Sequence, residues 1–504
     1  MINKKSKVTI EKLFSSSLFK DMDVNSLLEM FSISSTIRKN NQEAKPKESY
    51  FNQVESNIRS IPPEGIIISS PGEYQFTDDI IWMPNASSSA AISILANDVV
   101  LNLNGFTLTV VPPASRNGLQ LNGIRLGISD HDYTTCDAII IKNGKIDGAT
   151  YYGVSVFQTT NVEISNITVK NINYNETSKP GLTACGIFID SSENFNVINC
   201  FVQNMNVEAP SCAGIQIISS INGNVSGCGM QDFFNSDGGV QGFSYIESSN
   251  ITTDSCYSER FRSQYKGLTQ TTGHTVIGYV PILCTNLEFN NCTTDSMTGC
   301  CDDCHGFSVF LNSYVSVNNF KATNITDGDC SKNTGAKATG LEVYGDYIKI
   351  NNCTVENIFA IVPQDLQSAG FSAWGNNITF NNCEAKNVKV LDANRQPSTQ
   401  FGCGTGYGWA PDPRQEFCGV AANIVQYNSC TAHDCQLGFD TWSHTDSQWN
   451  NVMSYNCPIF ILAEPYGTTR NLSMDKCSES PNELPQTVVV YNLAENNTYP
   501  KLHH

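Results

Sequence analysis

The chain has 504 residues, a formal net charge of −18 and only 15% charged residues, well below the roughly 25% of an average soluble domain. Asn, Ser, Thr and Gly supply its polarity instead, which is typical of a β protein rich in turns. Nucleic acid is disfavoured as a partner, because phosphate binding requires clustered Lys and Arg. The charge also disfavours a polyanionic sugar, unless a basic patch or a bridging Ca²⁺ ion offsets the repulsion.

The first 61 residues differ from the rest of the chain. Residues 1–37 are predicted to be a small helical segment, and residues 38–61, which are rich in Lys, Asn, Gln and Glu, a flexible linker. The helical pattern rests on Leu13, Leu18, Leu27, Leu28 and Phe31.

The sequence also gives expectations about location. The N-terminus has no continuous apolar segment and no small-residue cleavage site, and no stretch approaches the ~20 apolar residues of a membrane span. We therefore expect synthesis inside the cell without a signal peptide and without a membrane span. Association with a particle or virion is compatible with this expectation.

A repeat runs through most of the chain. The segments that begin "ACGIFID" at Ala184, "ATGLEVY" at Ala338 and "SAGFSAW" at Ser368 align with one another. Each aligned unit opens with a glycine and continues as three short runs in which apolar and polar residues alternate, which indicates strands. The opening glycines are Gly186, Gly214, Gly242, Gly306, Gly340 and Gly370. Units of about 30 residues with three strands predict the coils of a parallel β-helix.

Two further columns fall at one corner of this repeat. The first column holds Asn166, Asn199, Asn291, Asn319, Asn352, Asn382 and Asn456, with Gly227, Ser255 and Ser429 as substitutes. These residue types tolerate the left-handed backbone of a tight corner, and stacked Asn side chains can hydrogen-bond along the axis. The next position holds Cys200, Cys228, Cys256, Cys292, Cys353, Cys383, Cys430 and Cys457. We expect these cysteines to be reduced, small core residues, because a serial stack is a poor disulfide scheme.

The start of the repeat carries a family resemblance. "ISSPGEYQFTDDI" (68–80) and "AISILANDVVLNLNGFTLTV" (91–110) resemble the opening coils of the pectin-lyase-like proteins. The resemblance covers about residues 62–475. It implies an all-β fold, a single-stranded right-handed parallel β-helix with three strands per coil and about a dozen coils. It does not specify a reaction, since the superfamily contains lyases, glycoside hydrolases, epimerases, virion spikes and proteins without chemistry.

Two segments depart from the repeat. Residues 389–418 are rich in Gly and Pro and are predicted to be a loop insertion, and loops of this length are often functional. Residues 476–504 are broken by Pro and are predicted to be a C-terminal cap or tail.

Carboxylates near the opening glycines are the candidates for catalysis. Glycoside hydrolysis needs two carboxyl groups, ~5–5.5 Å apart for retention or ~6.5–9.5 Å apart for inversion, and neighbouring coils provide such separations. An acidic residue in a loop is more often a solvated turn former, but Asp302 and Asp303 are adjacent and lie beside His305. The candidate catalytic residues are Asp302, Asp303, Asp237, His305 and Glu342.

Aromatic residues recur four positions after the opening glycines. Alternation predicts that they point outward, where flat sugar faces stack on rings, although the rings can equally pack beneath loops or against another subunit. The candidate substrate-binding residues are Phe310, Tyr344, Trp374 and Trp442, together with His274 from a corner loop.

Two enzyme classes of the superfamily give different expectations. Polygalacturonases carry Asn-Thr-Asp, Asp-Asp, Gly-His-Gly and Arg-Ile-Lys on successive coils. This chain resembles them only in part, with Asn235-Ser236-Asp237 and Asp302-Asp303, while its His305 follows too soon and Arg-Ile-Lys is absent. The lyases need a basic residue and Ca²⁺. Arg260, Arg262 and Lys266 are available for that role.

The stretch "CCDDCHG" (300–306) permits other chemistry. Cys301, Cys304 and His305 satisfy the C-x-x-C-H pattern of covalent haem attachment, but haem requires export. Cys300 completes a Cys₃His zinc set, although vicinal cysteines rarely both bind one ion. A disulfide to Cys330 is a third option. No metal and no cofactor is predicted, apart from Ca²⁺ if the protein is a lyase.

The sequence therefore leaves two functions open. The first is a polysaccharide hydrolase or lyase that uses carboxylates on the glycine-start face, the outward side of the strands that carry the opening glycines. The second is a non-catalytic glycan-binding or structural protein of a surface or virion. In both, the partner is a polysaccharide or glycan, and oligomerisation through a β-helix face is compatible with the fold.

Overall fold

A computed structural model describes most of the chain between residues 55 and 490. The described residues are 55–85, 87–113, 122–126, 135–175, 183–264, 275–299, 303–328, 337–361, 367–392, 394–397, 406–410, 422–440, 444–457, 459–463, 473–475, 478–479 and 487–490. The predicted N-terminal helical segment and most of the predicted linker and C-terminal tail lie outside them.

The described part of the chain consists of β-strands. In chain order they are β1 Glu55–Ile58, β2 Ile66–Ile68, β3 Gly72–Phe76, β4 Ile80–Trp82, β5 Ala90–Ile94, β6 Val99–Asn102, β7 Thr107–Val110, β8 Asn122–Leu126, β9 Asp137–Asp147, β10 Tyr152–Phe157, β11 Thr160–Lys170, β12 Thr183–Asp190, β13 Glu193–Ile198, β14 Phe201–Val207, β15 Ser211–Ile218, β16 Ile221–Ser226, β17 Gly229–Asn235, β18 Gly239–Ile246, β19 Ser249–Asp254 and β20 Tyr257–Ser263.

The later strands are β21 Val276–Ile282, β22 Thr285–Asn290, β23 Thr293–Thr298, β24 Asp303–Asn318, β25 Lys321–Asp327, β26 Lys337–Asn351, β27 Thr354–Ile361, β28 Gln367–Asn381, β29 Glu384–Leu391, β30 Gly406–Ala410, β31 Ala422–Asn428, β32 Thr431–His433, β33 Leu437–Asp440, β34 His444–Thr445, β35 Gln448–Asn450, β36 Met453–Tyr455, β37 Ile459–Ala463, β38 Ser473–Asp475, β39 Ser478–Glu479 and β40 Thr487–Val490. Among the residues described, no helix is both long enough and apolar enough to cross a membrane.

The chain divides into two compact units. Unit 1 contains residues 1–239, 244–251 and 266–272, and unit 2 contains residues 240–243, 252–265 and 273–504. In unit 1, β12 pairs in parallel with β15, β13 with β16 and β14 with β17. A strand that pairs with the third strand after it closes a coil of three strands. The predicted parallel β-helix fold is therefore confirmed, while its right hand and its dozen coils stay predictions.

The same architecture holds in unit 2. The strand that carries the opening glycine forms one column in the order β21, β24, β26, β28, β30 and β33. β30 lies within the predicted loop insertion, so a strand of this column continues through residues 406–410. The column contains the predicted site residues Asp303, His305 and Glu342.

The opening glycines permit the close approach of successive coils. A Cβ atom on Gly306 would lie 2.5 Å from the carbonyl oxygen of Gly340 and 2.7 Å from Cβ of Ala322. A side chain at this position would therefore collide with the next coil and with the core. The repeated glycine of the sequence has a steric cause.

Aromatic rings fill the core of unit 2. Phe307 is fully buried and stacks on Tyr279 at 5.6 Å, while Phe289 and Phe320 meet its ring edge to face at 4.8 and 5.2 Å. Such pairs add ~0.5–1.5 kcal/mol beyond the burial of their area. The core thus fixes the inward direction of the glycine-start strands.

The predicted asparagine corner is confirmed. Asn199, Asn319 and Asn352 have φ of 51°, 55° and 53°, and the substitutes Ser255 and Ser429 both have 53°. Nδ2 of Asn319 donates to Oδ1 of Asn291 at 3.0 Å, as predicted for stacking along the axis.

Candidate functional site

The structure places the predicted site residues in different units. Asp303, His305 and Glu342 lie in unit 2, whereas Asp237 lies in unit 1. Three further candidates, Phe310, Tyr344 and Trp374, also lie in unit 2. The last three, Asp302, His274 and Trp442, are outside the described residues and stay predictions.

Strands β24 and β26 bring the unit 2 residues onto one face. In register, Asp303 pairs with Lys337, His305 with Thr339 and Ser308 with Glu342. Phe307 and Leu341 point into the core, and successive side chains of a strand alternate. Ser308 and Glu342 therefore point away from the core.

Glu342 is the centre of a buried polar cluster. Its Oε1 atom lies 2.5 Å from Nζ of Lys337, and its Oε2 atom accepts a hydrogen bond from Oγ of Ser308 at 3.1 Å. Side-chain exposure is 2% for Glu342 and 9% for Lys337. A carboxylate buried this deeply needs a counter-ion and hydrogen bonds, and Lys337 and Ser308 provide both.

His305 lies between two of the predicted catalytic carboxylates. Its Nδ1 atom is 3.6 Å from Oε2 of Glu342, and its Nε2 atom is 3.8 Å from Oδ2 of Asp303. Both distances exceed hydrogen-bond length, and the imidazole is fully buried. The ring thus separates Asp303 from Glu342 and contacts a carboxylate on each side.

Asp327 fixes the beginning of β26. It is fully buried, and its Oδ2 atom accepts a hydrogen bond from the backbone N–H of Lys337 at 2.9 Å. A Cβ atom on Gly299 would lie 2.4 Å from Oδ1 of Asp327, so a side chain there would displace this carboxylate. Asp327 therefore positions the strand that carries Lys337 and Glu342.

Several polar atoms on this face have no hydrogen-bond partner although they are buried. They are both ring nitrogens of His305, Oγ1 of Thr339, Oγ of Ser372 and Nε1 of Trp374. Ser372 pairs in register with Glu342, and the four side chains are at most 2% exposed. An unsatisfied buried polar group costs ~1–3 kcal/mol, and a set of them on one face therefore needs an explanation.

The predicted aromatic strip is present but shielded from solvent. Tyr344 stacks on Trp374 at 4.4 Å and meets Phe310 at 5.3 Å, nearly edge to face. Phe310 is 4% and Trp374 2% exposed, and Tyr344 is half-buried. The expectation of solvent-facing rings is wrong for Phe310 and Trp374, because the rings pack against Tyr344 along the column.

Asp237 belongs to a turn of unit 1. Its backbone N–H donates to Oδ1 of Asn235 at 3.1 Å, and Nδ2 of Asn235 donates to the carbonyl oxygens of Ala209 and Gly239 at 2.9 and 3.0 Å. Asn235 is therefore buried, and its hydrogen bonds stabilise the turn that contains Asp237.

The C-x-x-C-H pattern is divided between two faces. Cys304 pairs with Val276 and is a fully buried free thiol, and burial raises its pKa well above the usual range. His305 is the next residue of the strand and points the opposite way. This argues against one metal ion or haem shared by both residues, and Cys300, Cys301 and Cys330 lie outside the described residues. Within the described ranges, no group of three His, Cys, Asp or Glu side chains is arranged to hold a metal ion.

The sequence reasoning missed Lys337, Thr339, Ser308 and Ser372. A signal existed in the alignment of "DCHG" with "KATG", which places a lysine opposite Asp303 on the next coil. The outward position that predicted Glu342 also contains Ser308 and Ser372, but alternation alone does not distinguish a site residue from a solvated one.

The chain is similar to known proteins only at the level of solved structures. No protein-family model and no curated protein sequence matches the chain. The chain is 14% identical to ORF18 of Geobacillus virus E2, with a TM-score of 0.33. The match covers 64% of this chain and 54%, about half, of the viral chain.

Two further similar structures contain a sugar. The catalytic domain of a GH87 alpha-1,3-glucanase in complex with nigerose is 12% identical, with a TM-score of 0.39 over 92% of this chain and 71% of that one. The tailspike protein of E. coli bacteriophage HK620 in complex with a pentasaccharide is 10% identical, with a TM-score of 0.44 over 81% and 72%. At these values, neither a substrate nor an activity transfers to this chain.

Proposed function

We propose that the chain binds a carbohydrate on the outer face of β24, β26 and β28 and hydrolyses a glycosidic bond there. The observation that carries this proposal is the set of unsatisfied buried atoms on His305, Thr339, Ser372 and Trp374. They lie beside two carboxylates that the imidazole of His305 separates.

The chemistry of these atoms favours a neutral polyhydroxylated ligand. Hydroxyl groups of Thr339 and Ser372 both donate and accept, and the indole N–H of Trp374 donates. Sugar hydroxyls also donate and accept, so they are chemically suited to pair with each of these atoms. Because Lys337 already neutralises Glu342, the face does not require a charged ligand.

The two carboxyl groups are suited to different roles. Lys337 forms an ion pair and Ser308 a hydrogen bond with Glu342, and we assign Glu342 the role of general base or nucleophile. Asp303, 5% exposed, is then the general acid. Asp303 would protonate the oxygen of the leaving sugar as the glycosidic C–O bond breaks, and Glu342 would either take the proton of an attacking water or form a glycosyl ester.

Binding without catalysis is the second candidate function. The Lys337–Glu342 contact at 2.5 Å favours it, because a carboxylate held by an ion pair can be structural and leave the face to recognise a glycan. A glycan-binding surface or virion protein would have this property.

A polysaccharide panel tests the hydrolase. Reducing ends and unsaturated products are measured for the wild type, Asp303→Asn and Glu342→Gln, with Asp190→Asn, an outward carboxyl variant in unit 1, as a control. We expect release of reducing ends that falls at least ~10²-fold in the first two variants and is unchanged in the control. Unsaturated products would indicate a lyase instead.

Two results contradict the hydrolase. Equal activity in Asp303→Asn, Glu342→Gln and the wild type removes the acid/base assignment. Binding to a glycan without any turnover supports the second candidate.

A further inference from the structure

Two tyrosines occupy an exposed corner of unit 2 where asparagine is usual. Tyr314 and Tyr347 follow β-strand positions that pair in register, and their rings stack at 5.0 Å with an interplanar angle of 3°. They are 57% and 51% exposed. The pair forms an exposed aromatic ridge, the Tyr314–Tyr347 ridge.

The backbone at this ridge is unfavourable for tyrosine. Tyr314 and Tyr347 have φ of 57° and 58°, the left-handed region in which a bulky residue is an outlier. Asn286 and Asn377 are their neighbours in the same column, at φ of 55° and 56°. Ile424 continues the column after Asn377, with φ of 56° and 40% exposure, so the corner also accepts an apolar side chain. The tyrosines differ from it because two of them are adjacent and stacked.

The same corner in unit 1 shows the default arrangement. Asn161, Asn194, Asn222 and Asn250 form a hydrogen-bonded ladder, with Nδ2–Oδ1 distances of 3.3, 3.4 and 3.1 Å. In unit 2 the two tyrosines stand in the equivalent column, which also contains Ile424, and they expose apolar area to water.

A row of polar side chains runs directly beside the ridge. Oγ of Ser313 donates to Oγ1 of Thr285 at 3.2 Å, and Nδ2 of Asn376 donates to Oδ1 of Asp346 at 2.8 Å. Aromatic surface next to hydroxyl, amide and carboxylate groups suits a ligand with apolar C–H faces and hydroxyl edges. Asp346 makes a polyanionic ligand unfavourable.

We propose that the Tyr314–Tyr347 ridge and its polar row form a second glycan-contact surface for a neutral oligosaccharide, separate from the buried face around Glu342. This surface does not depend on catalysis. An apolar protein surface would desolvate the hydroxyl and amide groups of the row without replacing their hydrogen bonds to water. A sugar can form hydrogen bonds with these groups while its C–H groups contact the rings.

The test replaces both tyrosines with asparagine, which is common at this corner. In Tyr314→Asn/Tyr347→Asn, asparagine relieves the left-handed strain, so the melting temperature is expected to stay equal or rise. Binding is measured by native gel electrophoresis through dextran, a soluble galactomannan and polygalacturonate. We expect a neutral polysaccharide to retard the wild type, and the double variant to bind it about tenfold more weakly. Tyr455→Asn is the control, because Tyr455 is half-buried and stacks on His433.

The outcomes separate this proposal from the proposed function. The variant Thr339→Val/Ser372→Ala removes polar groups from the buried face around Glu342. If the polysaccharide still retards this variant, and if adding Tyr314→Asn/Tyr347→Asn abolishes the retardation, the ridge binds glycan independently of that face. Equal retardation of the wild type and the tyrosine variant overturns the proposal, as does retardation of the wild type by polygalacturonate alone or by no probe. Loss of self-association in the tyrosine variant, measured by light scattering, also overturns it and assigns the ridge to a contact between copies.

Discussion

At the scale of single residues, cysteine acts in this chain as a small core side chain. Every cysteine that the structure describes is free and buried. Sγ of Cys353 and Sγ of Cys383 each donate to the carbonyl oxygen two residues earlier, at 3.3 Å in both cases. The corner that brings the asparagine into the left-handed region thus turns the next residue inward and satisfies its thiol.

We expect the thiols of Cys185, Cys212 and Cys304 to be unreactive in the folded protein. Burial raises the pKa of Cys185, Cys212 and Cys304 well above the usual range, so thiolate, the reactive form, is scarce at neutral pH. Alkylation with iodoacetamide at pH 7.5, followed by peptide mass spectrometry, should leave these three unmodified until denaturant is added. Rapid modification in the native protein would contradict their placement.

At the scale of structural elements, ladders of asparagine connect the coils. In unit 2 one ladder runs through Asn290, Asn318, Asn351, Asn381, Asn428 and Asn450, with Nδ2–Oδ1 distances of 2.8 to 2.9 Å. Each inner member donates to one neighbour and accepts from the other. The side chains therefore repeat the hydrogen-bond pattern of the backbone.

Removal of an inner ladder residue should be more costly than removal of a terminal one. Asn351→Ala loses two hydrogen bonds and should lower the free energy of unfolding by about 1–3 kcal/mol. Asn450→Ala, at the end of the ladder, loses one and is the matched control. Urea unfolding measures both. A smaller loss for Asn351→Ala than for Asn450→Ala would show that the ladder does not stabilise unit 2.

The repeat could be predicted because its causes are local. A left-handed corner selects asparagine, close coils select glycine, and the period of two defines the inward face, so Asn352, Gly306 and Leu341 were identifiable from spacing. The "NN" doublets at 290–291, 318–319 and 351–352 also contained the second ladder, which we did not predict.

The site could be predicted only in part. Three of the predicted residues, Glu342, Asp303 and His305, lie close together, but their catalytic role stays a prediction. The burial of Phe310 and Trp374 depends on packing between coils. The ion pair of Lys337 with Glu342 depends on register between coils. Neither the burial of these two rings nor the ion pair can be predicted from the alternation of residues within one strand.

At the scale of the whole molecule, charge and site composition point to the same class of ligand. The formal net charge of −18 repels polyanions at low ionic strength. The buried face around Glu342 offers hydroxyl, indole and imidazole groups with one lysine that is already ion-paired. A neutral glycan satisfies both conditions.

The most direct measurement is calorimetric binding of neutral oligosaccharides to an Asp303→Asn background, with and without Thr339→Val/Ser372→Ala. Valine and alanine remove hydroxyl groups that have no partner in the protein, so folding stability should be retained or increased. If these hydroxyls contact the ligand, the dissociation constant rises at least about tenfold. An unchanged dissociation constant in the triple variant would contradict a carbohydrate site on the outer face of β24, β26 and β28.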